Sequence, residues 1–447
     1  MASASGWLAR SCDALVHGRP LSPGRNVPVR RVPVSGIVVG VQHDDATDEY
    51  VTLRALALML ARGSVGGTVA PYGTVILLEA GLAPELLGPL AALGAIATLL
   101  AAPTWGRLGD RHGRRRMLAF TMLVAAPVAL AHATGRVAVI AVAYVLWAAV
   151  ASAFIPLTDS LVLGRLRGDR AQFARARVGA SGMYIAVVVM LGALVSGTAL
   201  GWAAPGIVGF VLCLLAAAAV VGRLRGELIS GTGVAVRGST GLMTGILAGV
   251  RRNRWFLVGL SLVFAGSNAP TIFTGPRVAE VGGTGWEVGL AIAAGTLVEL
   301  PAFFTLPWLL RAIGGQRMFV TGGVLLGVAG LTSALAPTPE LLIAARLLFG
   351  AGYAWVVLPS LAAISAAAPA DEHAASAALH FATQAGGSLL VALAGLPLVA
   401  ATGSVSAVLA AAAMAAPVGA VVGLRAWPRA ASPVEPAPAP AEARAST

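Results

Sequence analysis

The sequence predicts an all-α integral membrane protein with twelve transmembrane helices in two six-helix repeats. Three observations carry this reading. Apolar runs of about 20 residues recur along most of the chain, each long enough to cross about 30 Å of hydrocarbon as a helix. Arginines gather in alternate turns between those runs. The chain also matches itself at a single offset, with the matches falling in corresponding turns. Composition agrees: of 447 residues 57% are hydrophobic and 11% are charged, against about 25% charged in a soluble protein. All 31 basic residues are arginine and the net charge is +12. In a soluble chain that balance would suggest nucleic acid, but here the turns between apolar runs account for most of it, so no nucleic-acid partner is expected.

The first segment of the chain, 1–50, is rich in proline, arginine and small polar residues and ends in "HDDATDEY". It reads as a disordered cytoplasmic N-terminal tail. A true start near Val51 would account for it equally well. It lacks the basic region, apolar run and small-residue cleavage site of a secretory signal. Apolar segments one to six follow at 54–79, 84–105, 117–134, 137–163, 178–200 and 204–222, making an N-terminal half of 51–222. The first contains "GSVGGTVAPYG" (63–73), where glycines and a proline require a bend. A linker at 223–254 carries several arginines. Segments seven to twelve lie at 255–276, 286–310, 318–335, 339–366, 376–400 and 403–424, within a C-terminal half of 255–425. Residues 426–447 form a Pro/Ala-rich tail that cannot bury a core.

Counting turns alternately from an internal N-terminus places Arg107, Arg111, Arg114, Arg115 and Arg116 inside, with Arg165, Arg175, Arg177, Arg251, Arg252, Arg254, Arg311 and Arg317. The outside turns hold Arg136 and Arg277. Both termini are therefore expected in the cytoplasm, and the protein in the cytoplasmic membrane as a multi-pass chain. Sliding the chain by 201 residues brings Glu79 onto Glu280, Gly81 onto Gly282, Gly88 onto Gly289, Gly113 onto Gly314, Arg116 onto Arg317 and Met117 onto Met318. One offset serving three separate places indicates two related halves, an arrangement found in secondary transporters that bind substrate between them.

The stretch "GRLGDRHGRRR" between segments two and three resembles the loop between helices 2 and 3 of the major facilitator superfamily. Gly106, Asp110, Arg111, Gly113, Arg114 and Arg115 fall on its pattern. The resemblance covers about 51–425 and implies that these residues form a gate. Asp110 would engage the start of segment eleven, near Ser376, where the positive end of a helix favours an anion. The second copy, "PWLLRAIGGQRM", has Arg311 in place of the aspartate. Within the superfamily, "AGTLVELPAFFTLPWLLRAIGG" (294–315) and "LHFATQAGGSLLVALAG" (379–395) are similar to helices 8 and 11 of the bacterial sugar efflux transporters. That likeness implies proton-coupled efflux of a sugar or similar compound.

Charges inside predicted spans are costly and mark functional candidates. Glu299 stands 13 residues beyond Trp286, about 20 Å along segment eight, and suits a group that takes up and releases protons. Asp159 is a second proton-coupling candidate, with an ion pair to Arg165 or Arg177 as its other reading. His380 is a third, with packing as the alternative. Arg62 can snorkel, pair with an acid or face a watery cavity, and the cavity is favoured. For Arg346, near the outer end of segment ten, an interfacial anchor and a site role are both open. Tyr72, Trp147, Tyr184, Asn268, Tyr353, Trp355 and Gln384 are further substrate-cavity candidates, since aromatic faces stack on sugar rings or hold flat drugs.

The sequence has no metal-ligand spacing and no phosphate-binding loop. No catalytic residue, metal or cofactor is expected, with a proton gradient as energy source. The expected partners are a small-molecule substrate, protons and the lipid bilayer, with the chain acting as a monomer. A multidrug or natural-product proton antiporter on the same fold is the near alternative. A non-transporting membrane sensor is the alternative of a different class, and would need an ordered soluble domain in a tail or the linker.

Overall fold

A computed structural model of the chain describes residues 45–166, 170–222, 239–368 and 373–428. Among these residues every regular element is helical. In the first half of the chain the helices are α1 (Asp45–Gly66), α2 (Val69–Glu79), α3 (Leu87–His112), α4 (Arg114–Ala131), α5 (Val137–Ala151), α6 (Phe154–Arg165), α7 (Arg170–Gly197) and α8 (Ala204–Gly222). In the second they are α9 (Ser239–Glu280), α10 (Gly285–Ile313), α11 (Gly315–Leu335), α12 (Pro339–Ala366), α13 (His373–Thr402) and α14 (Ser406–Arg425). Among the described residues nine helical stretches are long and apolar enough to cross a membrane. Their outer faces carry bare apolar side chains such as Leu100, Val142, Trp308, Leu335 and Met414, each more than 60% exposed. Lipid is the solvent that tolerates such a surface.

Several boundaries differ from those expected. The first apolar segment is two helices, interrupted at Gly67 and Thr68 within the stretch that had to bend. Thr68 leaves helical geometry (φ −87°, ψ −93°), and its hydroxyl donates to the Val65 carbonyl at 2.7 Å. The fourth segment is also broken, at Ser152 and Ala153. Helix α1 begins at Asp45, inside the stretch expected to be a tail. The remainder of that tail, 1–44, lies outside the described residues. Residues 239–252 of the expected linker are helical, and the chain turns at Asn253 (φ −118°, ψ 18°) before the apolar run. Trp427, expected in the C-terminal tail, packs 5.4 Å from the rings of Phe256 and Phe319.

The long helices pair antiparallel, so each half has an arginine-rich end and an arginine-poor end. At the arginine-rich end two matching turns connect α3 to α4 and α10 to α11. Both hinge on a glycine with a left-handed φ, Gly113 (φ 90°, ψ 122°) and Gly314 (φ 81°, ψ 153°). A side chain is strained in that conformation, so glycine is the residue both turns require. At the arginine-poor end Arg277 pairs with Glu280 at 2.9 Å and donates to the carbonyls of Ala334 and Ala336. Glu280 in turn accepts from the Val405 backbone amide at 2.9 Å, which fastens the ends of α9, α11 and α14 together.

Three apolar cores organise the molecule. One, with Met59, Leu118, Met122, Trp147, Phe154 and Leu157, lies wholly in the first half. Another, with Phe256, Phe264, Phe319, Phe349 and Leu379, lies wholly in the second. The third draws from both, joining Tyr72, Leu77, Leu87 and Leu191 to Phe273, Val288 and Leu342. Its members sit toward the arginine-poor ends of their helices. The halves are therefore joined at one end and keep separate cores at the other.

Candidate functional site

The seal between the halves is built from small residues. A Cβ at Gly88 on α3 would stand 3.2 Å from the Cα of Ala392 on α13. A Cβ at Gly289 on α10 would stand 3.0 Å from the Val188 carbonyl oxygen and 2.9 Å from the Tyr72 hydroxyl oxygen. Beside this contact Ser196 of α7 accepts from the Trp286 backbone amide at 2.8 Å and donates to the Thr284 hydroxyl at 3.1 Å. It thus takes part in capping α10, a helix of the other half. Thr284 is itself held by Glu287, whose carboxylate accepts from the Thr284 amide at 2.8 Å. Orphan amides at a helix start need such partners.

Below the seal, charged and aromatic groups converge from both halves. Arg346 is seven residues into α12 and Glu299 fourteen residues into α10, about 10 and 21 Å along their helices. Helices α10 and α12 cross with Gly295 against Gly350, which brings the Arg346 side chain beside Gly295 and one turn from Glu299. The two residues interact electrostatically but close no ion pair, and Tyr184 on α7 of the first half acts on both. The guanidinium lies 3.9 Å over the Phe349 ring, and that ring stacks on Tyr353 at 6.0 Å. From Tyr353 a polar chain runs across the second half. Gln384 donates to the Tyr353 hydroxyl at 3.3 Å, and Asn268 donates to the Gln384 carbonyl at 2.8 Å and to the Ser388 hydroxyl at 2.9 Å.

That chain ends at a cavity of about 220 Å³ between the halves, where Asn268, Thr271 and Ser388 face Thr98 and Tyr144 of the first half. Its polar lining is hydroxyl and amide, without a charge. Sequence reasoning singled out Glu299, Tyr184, Tyr353, Gln384 and Asn268, and the structure gathers all five. It did not single out Thr98, Tyr144, Thr271 or Ser388. Thr271 and Ser388 follow Asn268 and Gln384 by three and four residues, so helical spacing from those anchors was the available signal.

Other candidates are placed elsewhere. Arg346, placed above beside Glu299, is 7% exposed, so it is no interfacial anchor. Tyr72 is fully buried and donates to the Val188 carbonyl, which makes it part of the seal. Trp147 packs edge-on against Phe154 at 6.2 Å inside the core of the first half, and is not a cavity residue. The backbone and Cβ of Trp355 lie against Gly322 on α11, within the second half. Arg62 does not face a cavity alone: it pairs with Asp159 at 3.0 Å, and Asp159 also pairs with Arg177 at 3.3 Å. Arg165 was the other expected partner of Asp159; Arg62, 97 residues away, takes that place. His380 is buried, its Nε2 hydrogen-bonded to Ser360 at 2.9 Å and its ring edge-on to Phe264.

At the gate motif Asp110 is exposed and bonds Arg114 one turn on, at 2.8 Å. Arg115 donates to the Val221 carbonyl at 2.6 Å, and Arg111 is exposed. Gly106 has open space where a Cβ would project. The side chains at the start of α13, the expected partner of Asp110, lie outside the described residues.

A helical membrane protein whose halves close on each other at one end and hold buried charges between them has the build of a transporter. The chain belongs to the MFS_1 like family, whose model matches residues 55–395. It is 28% identical to the maltose permease of Geobacillus stearothermophilus over 281 residues, 61% of this chain and 68% of the permease. Among solved structures, that of the nucleoside transporter NupG superposes with a TM-score of 0.72 at 14% identity, covering 84% of this chain and 98% of NupG. An auto-inhibited POT family peptide transporter superposes with a TM-score of 0.65 at 16% identity, covering 87% of this chain and 99% of that one. These likenesses are to transporters and not to enzymes.

Proposed function

We propose that the chain crosses the cytoplasmic membrane twelve times as two six-helix halves and moves a small polar organic solute by alternating access, coupled to protons. The observation that carries this is the convergence of Tyr184 of one half on Glu299 and Arg346 of the other, in halves that share a core at the arginine-poor end. The matching left-handed glycines Gly113 and Gly314 support the two-half reading. The arginine-rich end is the cytoplasmic one, because the positive turns stay inside. In this state the protein is sealed toward the outside and its cleft faces the cytoplasm. The uncharged lining beside Asn268 and Ser388 suits hydroxyl-rich solutes, and the permease relative supports a sugar-sized one. Glu299 is the proton carrier, because Asp159 is already held by two arginines.

Outward exchange for protons, implied by the likeness to sugar efflux transporters, is the first form of the cycle. Co-transport of solute and proton is the second, favoured by the nearness of Arg346 to Glu299: an anion on the arginine and a charge on the carboxyl would repel. Energised everted vesicles containing the protein are challenged with sugars, glycosides and lipophilic drugs while internal pH is followed. A solute-specific proton movement that Glu299→Gln abolishes at equal abundance is expected. Its sign separates exchange from co-transport. A signal that survives the substitution removes Glu299 from coupling, and no signal with any solute contradicts proton-coupled transport of these compounds.

A further inference from the structure

Arg346 is over-supplied with donors for its surroundings. Its residue is 7% exposed, and its Nε and NH1 are buried with no hydrogen-bond partner among the described residues. A guanidinium carries five N–H donors in a rigid fork and no acceptor. Burying one without matching acceptors is unfavourable, because charged groups leave water only at high cost. The nearest acid, Glu299, interacts through space without an ion pair.

The surroundings hold the fork in place. Phe349 covers one face at 3.9 Å, fixing its plane. Gly295 packs beside the Nε–NH2 edge: a Cβ there would come 3.2 Å from NH2 and 3.5 Å from Nε, so only glycine leaves the fork undisturbed. Tyr184, the neighbour across the halves, belongs to the opposite half. The unpartnered guanidinium thus sits at the crossing of α10 and α12, one turn from Glu299 and within electrostatic reach of Tyr184 of the other half.

We infer that Arg346 anchors a carboxylate on the transported solute. Two parallel N–H···O bonds to a carboxylate at the NH1–NH2 end, away from Gly295, would give the unpartnered NH1 an acceptor and neutralise the charge together, which a neutral hydroxyl cannot do. The hydroxyl- and amide-lined cavity beside Asn268 then receives the remainder of the solute. The inference rests on the site proposed above and narrows its substrate class to acid-bearing polar solutes.

The test is binding to purified full-length protein in detergent, followed by thermal shift and calorimetry. The probes are matched pairs that differ by the carboxylate: glucuronate against glucose, lactate against lactamide, benzoate against benzamide. At least one carboxylate is expected to bind ten-fold or more tightly than its neutral counterpart. Arg346→Gln should erase that preference, bringing the two members of each pair to equal affinity. Arg346→Lys, which keeps the charge and loses the fork, should retain a preference reduced several-fold, and serves alone if the glutamine variant does not fold. Equal binding within every pair, or a preference that survives the variants unchanged, overturns the inference. Flux of neutral sugars in proteoliposomes is measured alongside. If they move while no carboxylate is preferred, the anchor fails and the transporter reading stands. If nothing moves although a carboxylate binds through Arg346, the reverse holds.

Discussion

Arg62, Asp159 and Arg177 form a charged cluster within the first half whose members differ in exposure, and the difference sets their weight. The Arg62 and Asp159 side chains are 12% and 21% exposed, whereas Arg177 is 54% exposed. Asp159→Asn leaves Arg62 without its charge partner and should cost about 1–3 kcal/mol, read as a lower unfolding midpoint in detergent. Arg177→Gln breaks an exposed pair and should cost no more than about 1 kcal/mol. Equal losses from the two would contradict this assignment. Sequence reasoning found Arg62 and Asp159 as charges inside apolar runs, because hydropathy makes such residues conspicuous. Their pairing was not legible: 97 residues separate them, and Arg165 and Arg177 were nearer candidates. Arg346 shows the same limit, since depth along a helix does not reveal which face is buried.

Elements were more legible than their interruptions. The apolar runs became helices because a backbone in lipid must satisfy its own hydrogen bonds. The break in the first run lay where "GSVGGTVAPYG" had announced it. The break at Ser152 and Ala153 had no such mark in a continuous apolar stretch. Glycine positions divide in the same way. Gly113→Ala forces a side chain into φ 90° and should cost about 1–3 kcal/mol, while Gly106→Ala enters open space and should leave the unfolding midpoint within a degree or so of the parent. Comparable melting shifts would refute the distinction.

The seal offers a sharper test at this scale. Gly289→Val would drive methyl groups against Tyr72 and Val188 and should hold the halves apart there, visible as new labelling of a cysteine placed at Val195, which is buried against Gly285 of the other half. Ser196→Ala removes the hydroxyl that caps the opposite half. It should weaken the seal by about 1 kcal/mol, increasing labelling about five-fold. Unchanged labelling in both variants would show that these contacts do not hold the seal closed.

At the scale of the whole molecule an asymmetry is written in the cores. Two are private to the halves and one is shared, and the shared one lies at the arginine-poor end. Charge bias in the turns foretold which ends belong together, and the internal match foretold equivalent turns at Gly113 and Gly314. Neither could say at which end the halves would meet, because that is a property of one state and not of the sequence pattern. The candidate site was legible only as a set of polar residues scattered over several segments; the crossing of α10 and α12 at Gly295 and Gly350 is what sets Arg346 beside Glu299.

Alternating access requires that the shared core part when the private ends close. Distances between spin labels test this most directly, in a chain whose Cys12 and Cys213 are replaced by serine. One pair spans the halves at the arginine-poor end, at Thr198 and Glu340, and the other at the arginine-rich end, at His112 and Arg317; all four positions are exposed. On addition of a bound solute or a change of pH, the account predicts reciprocal shifts: a longer population at Thr198 and Glu340, with a shorter one at His112 and Arg317. Distances that stay fixed at both ends, or lengthen together, would contradict it.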